Sequence, residues 1–237
     1  MYILNIFNIF KRFFNSKKPN RLEPTSFQQQ VIAGIMLSVG HIRNPNSNRR
    51  STGNYRLECT FKTGVLDFCK WIKFVLLDGL TTQSPPTPYP KNNPTQYWFS
   101  TSNSQYFTNL HTQWYQIVNN KVLKNLPNAE YFDKYFTEVS LAHSIMGDGY
   151  WDNTEGTVYI CTENYKYEEV KFLINFFEKK FGLKAGLKKR NNGYRIRFSS
   201  KPENISKLIK LVKPHMHPLM LYKLDLYNEQ AGPNEKS

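Results

Sequence analysis

The first regular signal is a continuous apolar stretch, residues 31–39, entered through Thr25 or Ser26 and closed by Gly40. Thr and Ser at a helix entry accept hydrogen bonds from the first orphaned N–H groups, and Gly is the usual residue just past a helix end. The spacing therefore predicts a helix from 25 or 26 up to Gly40. Residues 44–54, rich in Asn, Ser, Arg and Gly, read as a long exposed hairpin loop. Tyr55, Leu57, Cys59 and Phe61 alternate with Arg56, Glu58 and Thr60, the period of a strand with one buried face. Val65, Phe68, Cys69, Ile72, Val75 and Leu76 return to helical spacing. The Pro-rich stretch 84–94 reads as a loop, 97–101 as a strand and 105–118 as a second helix.

The second half of the chain repeats this order. Thr137 or Glu138 opens an apolar helix that ends at Gly149, and 157–161 is a β-branched strand. Val170, Leu173, Ile174 and Phe177 share one face of a helix over 167–181, stopped by Gly182. Strands over 183–190 and 194–198 flank Asn191-Asn192-Gly193, a strong hairpin turn. Within the second of these strands Tyr194, Ile196 and Phe198 alternate with Arg195 and Arg197. Pro202 starts a last helix over 205–212 that stops at Pro214. Each half thus reads as αββαββα, an internal duplication in an α+β chain.

Composition narrows the partner. Among 237 residues, 32 Lys+Arg face 18 Asp+Glu, a net charge of +14 that points to a polyanion. Residues 1–120 carry 13 basic against 4 acidic groups and residues 121–237 carry 19 against 14, so the charge is not a detachable tail. An aromatic content of 15% excludes a disordered chain. No apolar run is long enough to cross a bilayer, so no membrane partner is expected. Residues 1–14 are apolar and end basic; they read as a targeting leader, an unstructured leader or a helix packed on the body. Cys59, Cys69 and Cys161 lack the spacing of a disulfide framework or a zinc site, which fits a reducing compartment.

Superposing the two halves aligns Ile32-Ala33-Gly34-Ile35-Met36-Leu37-Ser38-Val39-Gly40 with Leu141-Ala142-His143-Ser144-Ile145-Met146-Gly147-Asp148-Gly149. Ala33, Gly34, Ser38, Ala142, Ser144 and Gly147 are small enough to let two helices approach closely, and the residue before each terminal Gly would point into a cleft between the halves. These segments resemble the motif of the LAGLIDADG homing endonucleases, most of all the single-chain, pseudo-two-fold branch encoded in fungal mitochondrial introns. Met146 to Asp152, Gly40-His41-Ile42-Arg43, Lys124-Asn125-Leu126-Pro127 and Met220-Leu221-Tyr222-Lys223-Leu224 carry the resemblance further, over roughly 26–225.

The resemblance implies two antiparallel sheets forming a DNA-binding saddle, with halves at 25–124 and 125–226, a leader and linker over 1–24 and a flexible tail over 227–237. It implies a metal-dependent phosphodiesterase using Mg2+, or Mn2+ or Ca2+ in its place. Asp148 would bind the metal, with Ser38 and Gly147 beside it, and Lys124 and Lys223 would be the two half-related basic residues. Ala33, Gly34, Gly40, Ala142 and Gly149 would form the helix interface. The first motif departs from the pattern, because Val39 stands where the family has an acid. Val can neither bind a metal nor activate water. The chain is then a degenerate copy that binds without cutting both strands, a nickase using Asp148 alone, or a form in which the acid was removed to trap an uncut complex.

For reading DNA, the hairpin with Lys188, Lys189, Arg190, Arg195 and Arg197 is the leading candidate, with Arg43, Arg49, Arg50 and Arg56 as its counterparts in the first half. The expected partner is a long double-stranded site bound by a monomer, in mitochondria. The rival partner is intron RNA, bound by a maturase without nuclease chemistry. His215 and His217 are too sparse for a metal site, and His143 reads as packed rather than catalytic.

Overall fold

The computed structural model describes residues 23–44 and 53–226. The expectations for the leader, Arg49, Arg50 and the tail beyond 226 lie outside the described residues.

Helix α1 (Ser26–Leu37) starts on a reciprocal cap: Thr25 Oγ1 accepts from the Gln28 backbone N–H at 3.2 Å, and Gln28 Oε1 accepts from the Thr25 N–H at 3.0 Å. The amide of Gln28 also donates to the carbonyls of Leu76 and Asp78. Every residue from Val31 to Leu37 is buried, so α1 has no polar face and runs through the centre of the molecule.

Two four-stranded antiparallel sheets share one topology. The first contains β1 (Gly40–Arg43), β2 (Arg56–Lys62), β3 (Thr87–Tyr89) and β4 (Gln96–Ser100), in the spatial order β1-β2-β4-β3. Helix α2 (Leu66–Trp71), prolonged by a π-helical turn over Ile72–Leu76, and helix α3 (Gln105–Trp114) accompany it. A separate hairpin, β5 (Tyr115–Val118) and β6 (Lys121–Lys124), and helix α4 (Ala129–Tyr135) follow. Helix α5 (Glu138–Asp148) then leads into β7 (Gly149–Asp152), β8 (Thr157–Cys161), β9 (Ala185–Arg190) and β10 (Gly193–Phe198), in the order β7-β8-β10-β9. Helices α6 (Tyr167–Phe181) and α7 (Pro202–Val212) and 3-10 turns at Lys213–His215 and Pro218–Leu224 complete the fold. The α+β class with repeated helix-strand order is the one the periodicity predicts.

Two readings are corrected. The helix expected over 105–118 stops at Trp114, and Tyr115–Val118 pairs with Lys121–Lys124. Ile117 and Val118 are β-branched, and Asn119 and Asn120 turn the chain at φ of 49° and 59°, the left-handed pair that a tight hairpin needs. The loop expected over 84–94 contains β3, an edge strand where Pro88 costs little pairing. Gly182 stops α6 at φ 62°, as expected.

The central contact is α1 against α5. A Cβ on Gly34 would overlap the Ser140 carbonyl oxygen and sit 2.8 Å from His143 Cβ, and one on Gly147 would fall 2.6 Å from Ser38 Cβ. Hydroxyls stitch the pair: Ser140 Oγ donates to the Gln30 carbonyl at 2.7 Å and Ser144 Oγ to that of Gly34 at 3.2 Å. Ala33 and Ala142 are fully buried. Gly40 and Gly149 have another task than the interface role expected of them. A Cβ on either would press on its own helix, at Ile35 or Ile145, so these glycines let the chain turn from helix into strand. Among the described residues no helix is long and apolar enough to cross a membrane.

Candidate functional site

The close packing of α1 on α5 brings the ends of the two motif helices together. Ser38 Oγ folds back onto the carbonyls of Gly34 and Ile35. A Cβ on Gly147 would lie 3.4 Å from Val39 Cγ1, so Val39 sits beside the Gly147-Asp148 step, and both Val39 and Asp148 are half-buried. The two lysines arrive from different elements with matching roles. Lys124, at the base of the β5–β6 hairpin, donates to the Gly40 carbonyl at 2.8 Å. Lys223, on the last 3-10 turn, donates to the carbonyls of Met146 and Gly147 at 2.7 and 3.0 Å.

These cations and Asp148 shape one another. Burial pushes both ammonium groups down to about 8, and the field of Asp148 opposes it in each. Burial raises the Asp148 carboxyl, while Lys223 and then Lys124 pull it back. The centre therefore gathers two ammonium groups around one carboxylate. Tyr165, unremarked in the sequence, reaches in from the second half to place its hydroxyl 3.3 Å from the Leu37 carbonyl. No spacing signalled it.

The donors fit a divalent ion on one side only. Magnesium is held by one or two carboxylates, with phosphate oxygens and waters filling the octahedron. Asp148 supplies the one side-chain carboxylate here, and the Gly147 carbonyl already accepts from Lys223. Ser38 turns its hydroxyl hydrogen toward its own helix, and the Val39 side chain offers no ligand atom. Among the described residues no three His, Cys, Asp or Glu side chains cluster as a metal site of their own.

Strand pleating sorts the candidate DNA contacts. In the second sheet, register places Tyr150, Tyr159, Cys161, Lys188, Arg195 and Arg197 on one face, and Val158, Ile160, Leu187, Tyr194, Ile196 and Phe198 on the helix-packed face. Arg195 and Arg197 therefore stand opposite the core, as their alternation predicts. Arg190, paired with Gly193, shares their face and reaches the Tyr150 hydroxyl at 3.4 Å. Lys189 pairs with Tyr194 and so belongs to the other face, which separates it from the rest of its group. In the first sheet Arg43 lies directly opposite Arg56, on the face that also carries His41, Thr60, Lys62, Gln96 and Trp98.

Each of these arginines except Arg190 is met by a carboxylate that sequence reasoning missed. Glu58 takes Arg56 at 2.6 Å and Arg43 at 4.0 Å. Glu163 holds Arg195, which also donates to the Tyr150 hydroxyl at 3.1 Å. Glu155 holds Arg197 and, at 2.9 Å, Lys188. Glu58 was legible as the polar neighbour of Arg56 on an alternating strand. Glu155 and Glu163 lie in turns, and only the register brings them to the arginines.

The family described as the LAGLIDADG DNA endonuclease family matches residues 29–205. The chain is 30% identical over 128 residues to "Probable intron-encoded DNA endonuclease 3" of Mycosarcoma maydis, covering 54% of this chain and 92% of that protein. It is 30% identical over 129 residues to a cytochrome b mRNA maturase of Debaryomyces hansenii, covering 54% of this chain and 46% of that one. Among solved structures, the homing endonuclease I-WcaI bound to its DNA recognition sequence superposes with a TM-score of 0.70 at 24% identity, over 92% of this chain and 91% of that one, which speaks for a shared fold. A family match over most of the chain, with the duplicated motif at the centre of the structure, makes this protein a member of the LAGLIDADG DNA endonuclease family.

Proposed function

We propose that the chain is a monomeric, site-specific binder of double-stranded DNA whose phosphodiesterase centre has lost one of its two acids. The observation that carries this reading is the placement of Val39 beside Gly147 and Asp148, with a lysine donating at each motif end. Residues 25–124 and 125–226 would act as its two halves, each laying one sheet along the duplex. A mitochondrial location follows the intron-encoded kind of relative and is part of the proposal.

Asp148 would hold a single divalent ion, Mg2+ or Mn2+, which when bound polarises a phosphate oxygen. The chain's own residues do the remaining work. Lys223 and Lys124 hold positive charge beside the scissile phosphate and steady the charge that grows on it. Their bonds to the motif carbonyls fix both ammonium groups before substrate arrives. Val39 excludes water from the position where the second acid would activate it. Such a centre can serve one strand at most, so nicking or binding alone is the expected outcome.

The test is a supercoiled plasmid carrying the binding site, with magnesium. The chain as written should give open circles or leave the plasmid intact, and Val39→Asp should yield linear product. Efficient linearisation by the unmodified chain would overturn the reading. The likeness to a cytochrome b mRNA maturase supports a second reading, binding of intron RNA. A gel shift comparing target duplex with host intron RNA separates the two.

A further inference from the structure

Apart from Arg190, the described arginines on the two sheet faces turned away from the packed helices are each held by a carboxylate. Glu58, Glu155 and Glu163 engage Arg43, Arg56, Arg195, Arg197 and Lys188. Ion pairs near the surface add little to stability, so folding gives little reason for them. On a face meant for a polyanion, each carboxylate also repels the ligand. Their presence calls for a gain in something other than affinity.

Glu155 shows what that gain is. Its backbone is fixed, because Asp152 Oδ1 accepts from the N–H groups of Thr154 and Glu155 at 3.0 and 2.9 Å and Gly156 closes the turn at φ 59°. One carboxylate oxygen takes Lys188 Nζ at 2.9 Å, and the other takes Arg197 Nε. The carboxylate is thereby held down at about 2, first by Lys188 and then by Arg197. With Nε engaged and Nη2 3.5 Å from Ser200 Oγ, the guanidinium is oriented rather than sweeping. Nη1 and the remaining N–H of Nη2 are the edge left to a ligand.

We propose that Glu155 is a specificity-setting residue of the DNA-binding face, clasping Arg197 and Lys188 so that they answer a matching base edge and not any passing phosphate. This rests on the reading that the face binds duplex DNA. Phosphate contacts carry no sequence information, whereas an arginine presented in a fixed orientation to guanine O6 and N7 discriminates between bases. A carboxylate between two cations lowers the charge offered to phosphate and holds the fork in place. It trades general affinity for discrimination, the logic of a repulsive element set against wrong partners.

The experiment uses the full chain, a duplex recovered by selection from a random duplex library, and a scrambled duplex of the same length. Glu155→Gln keeps the shape of the side chain and removes its charge. It should tighten binding to the scrambled duplex by roughly tenfold, steepen the dependence of log K on log salt by about one phosphate equivalent, and reduce the ratio of selected to scrambled affinity. Parallel loss on both duplexes would make Glu155 a strut, and an unchanged ratio would make it a bystander; either overturns the proposal. Should Glu155→Gln fail to fold, Lys188→Met provides the second arm. It leaves the carboxylate to Arg197 alone, so scrambled binding should fall while the ratio is kept or raised, and a lowered ratio counts against the clasp. If the parent chain selects no duplex at all, the DNA-binding reading itself fails, and the inference with it.

Discussion

His143 shows how one buried side chain sets a pH limit on the fold. Its Nδ1 lies 2.8 Å from the Val139 carbonyl oxygen, which only accepts, so Nδ1 carries the proton. Nε2 is buried and finds no partner among the described residues, and the ring stacks on Trp71 at 5.9 Å. Burial pushes the imidazole down to about 4. The unfolded chain takes up this proton below about pH 6.5, while the native ring resists it. The stability present above pH 6.5 is therefore lost progressively as pH falls toward 4, by about 2 kcal/mol at pH 5. Thermal melts at pH 7 and pH 5 should show that loss, and His143→Leu should flatten the difference. An equal slope in parent and variant would remove His143 from the account. The packed role was legible from its place in the motif helix; the unpartnered nitrogen was not, because it depends on what α1 and Trp71 press against it.

The elements were legible where a single periodicity governed them. Buried helices such as α1 and alternating strands such as β10 announce themselves, since one face or every side chain must leave water. The β5–β6 hairpin did not, because its four residues per strand extend a helical pattern without a break until Asn119-Asn120. Its strands also leave Ile117, Val122 and Leu123 exposed, so no buried alternation marks them. That miss touched the site, since Lys124 is the last residue of β6 and owes its position to the hairpin. The α1–α5 contact makes its own prediction. Gly34→Ala has no room, since the obstacle is backbone, and the helices must move apart at a cost of about 1–3 kcal/mol. Gly64→Ala meets nothing within 4 Å and should change little. Denaturant midpoints of the two variants test this directly: a tolerated Gly34→Ala would mean the helices are not in such close contact.

At the scale of the whole molecule, the charge of +14 and the repeated sheets make one expectation. On the proposed reading, two sheets of the same strand order, each with arginines on the face away from its helices, would reach along both sides of a duplex centre without a second copy. A homodimer would read a symmetric site. This chain carries different residues at matching places, such as Val39 against Asp148 and the Arg56–Glu58 pair against the Arg197–Glu155 pair. Its preferred site should therefore be asymmetric and bound one chain per duplex. Because phosphate contacts release counterions, affinity should fall steeply with salt, by about 1,000-fold or more between 50 and 200 mM if six or more phosphates are engaged. Sedimentation of labelled duplex with the chain, repeated across that salt range, measures stoichiometry and slope together. A complex of two chains per duplex, or a palindromic selected site, would show that one chain does not supply both halves of the reader. A shallow slope at the right stoichiometry would show instead that the carboxylates on the binding faces neutralise most of the charge that the arginines bring.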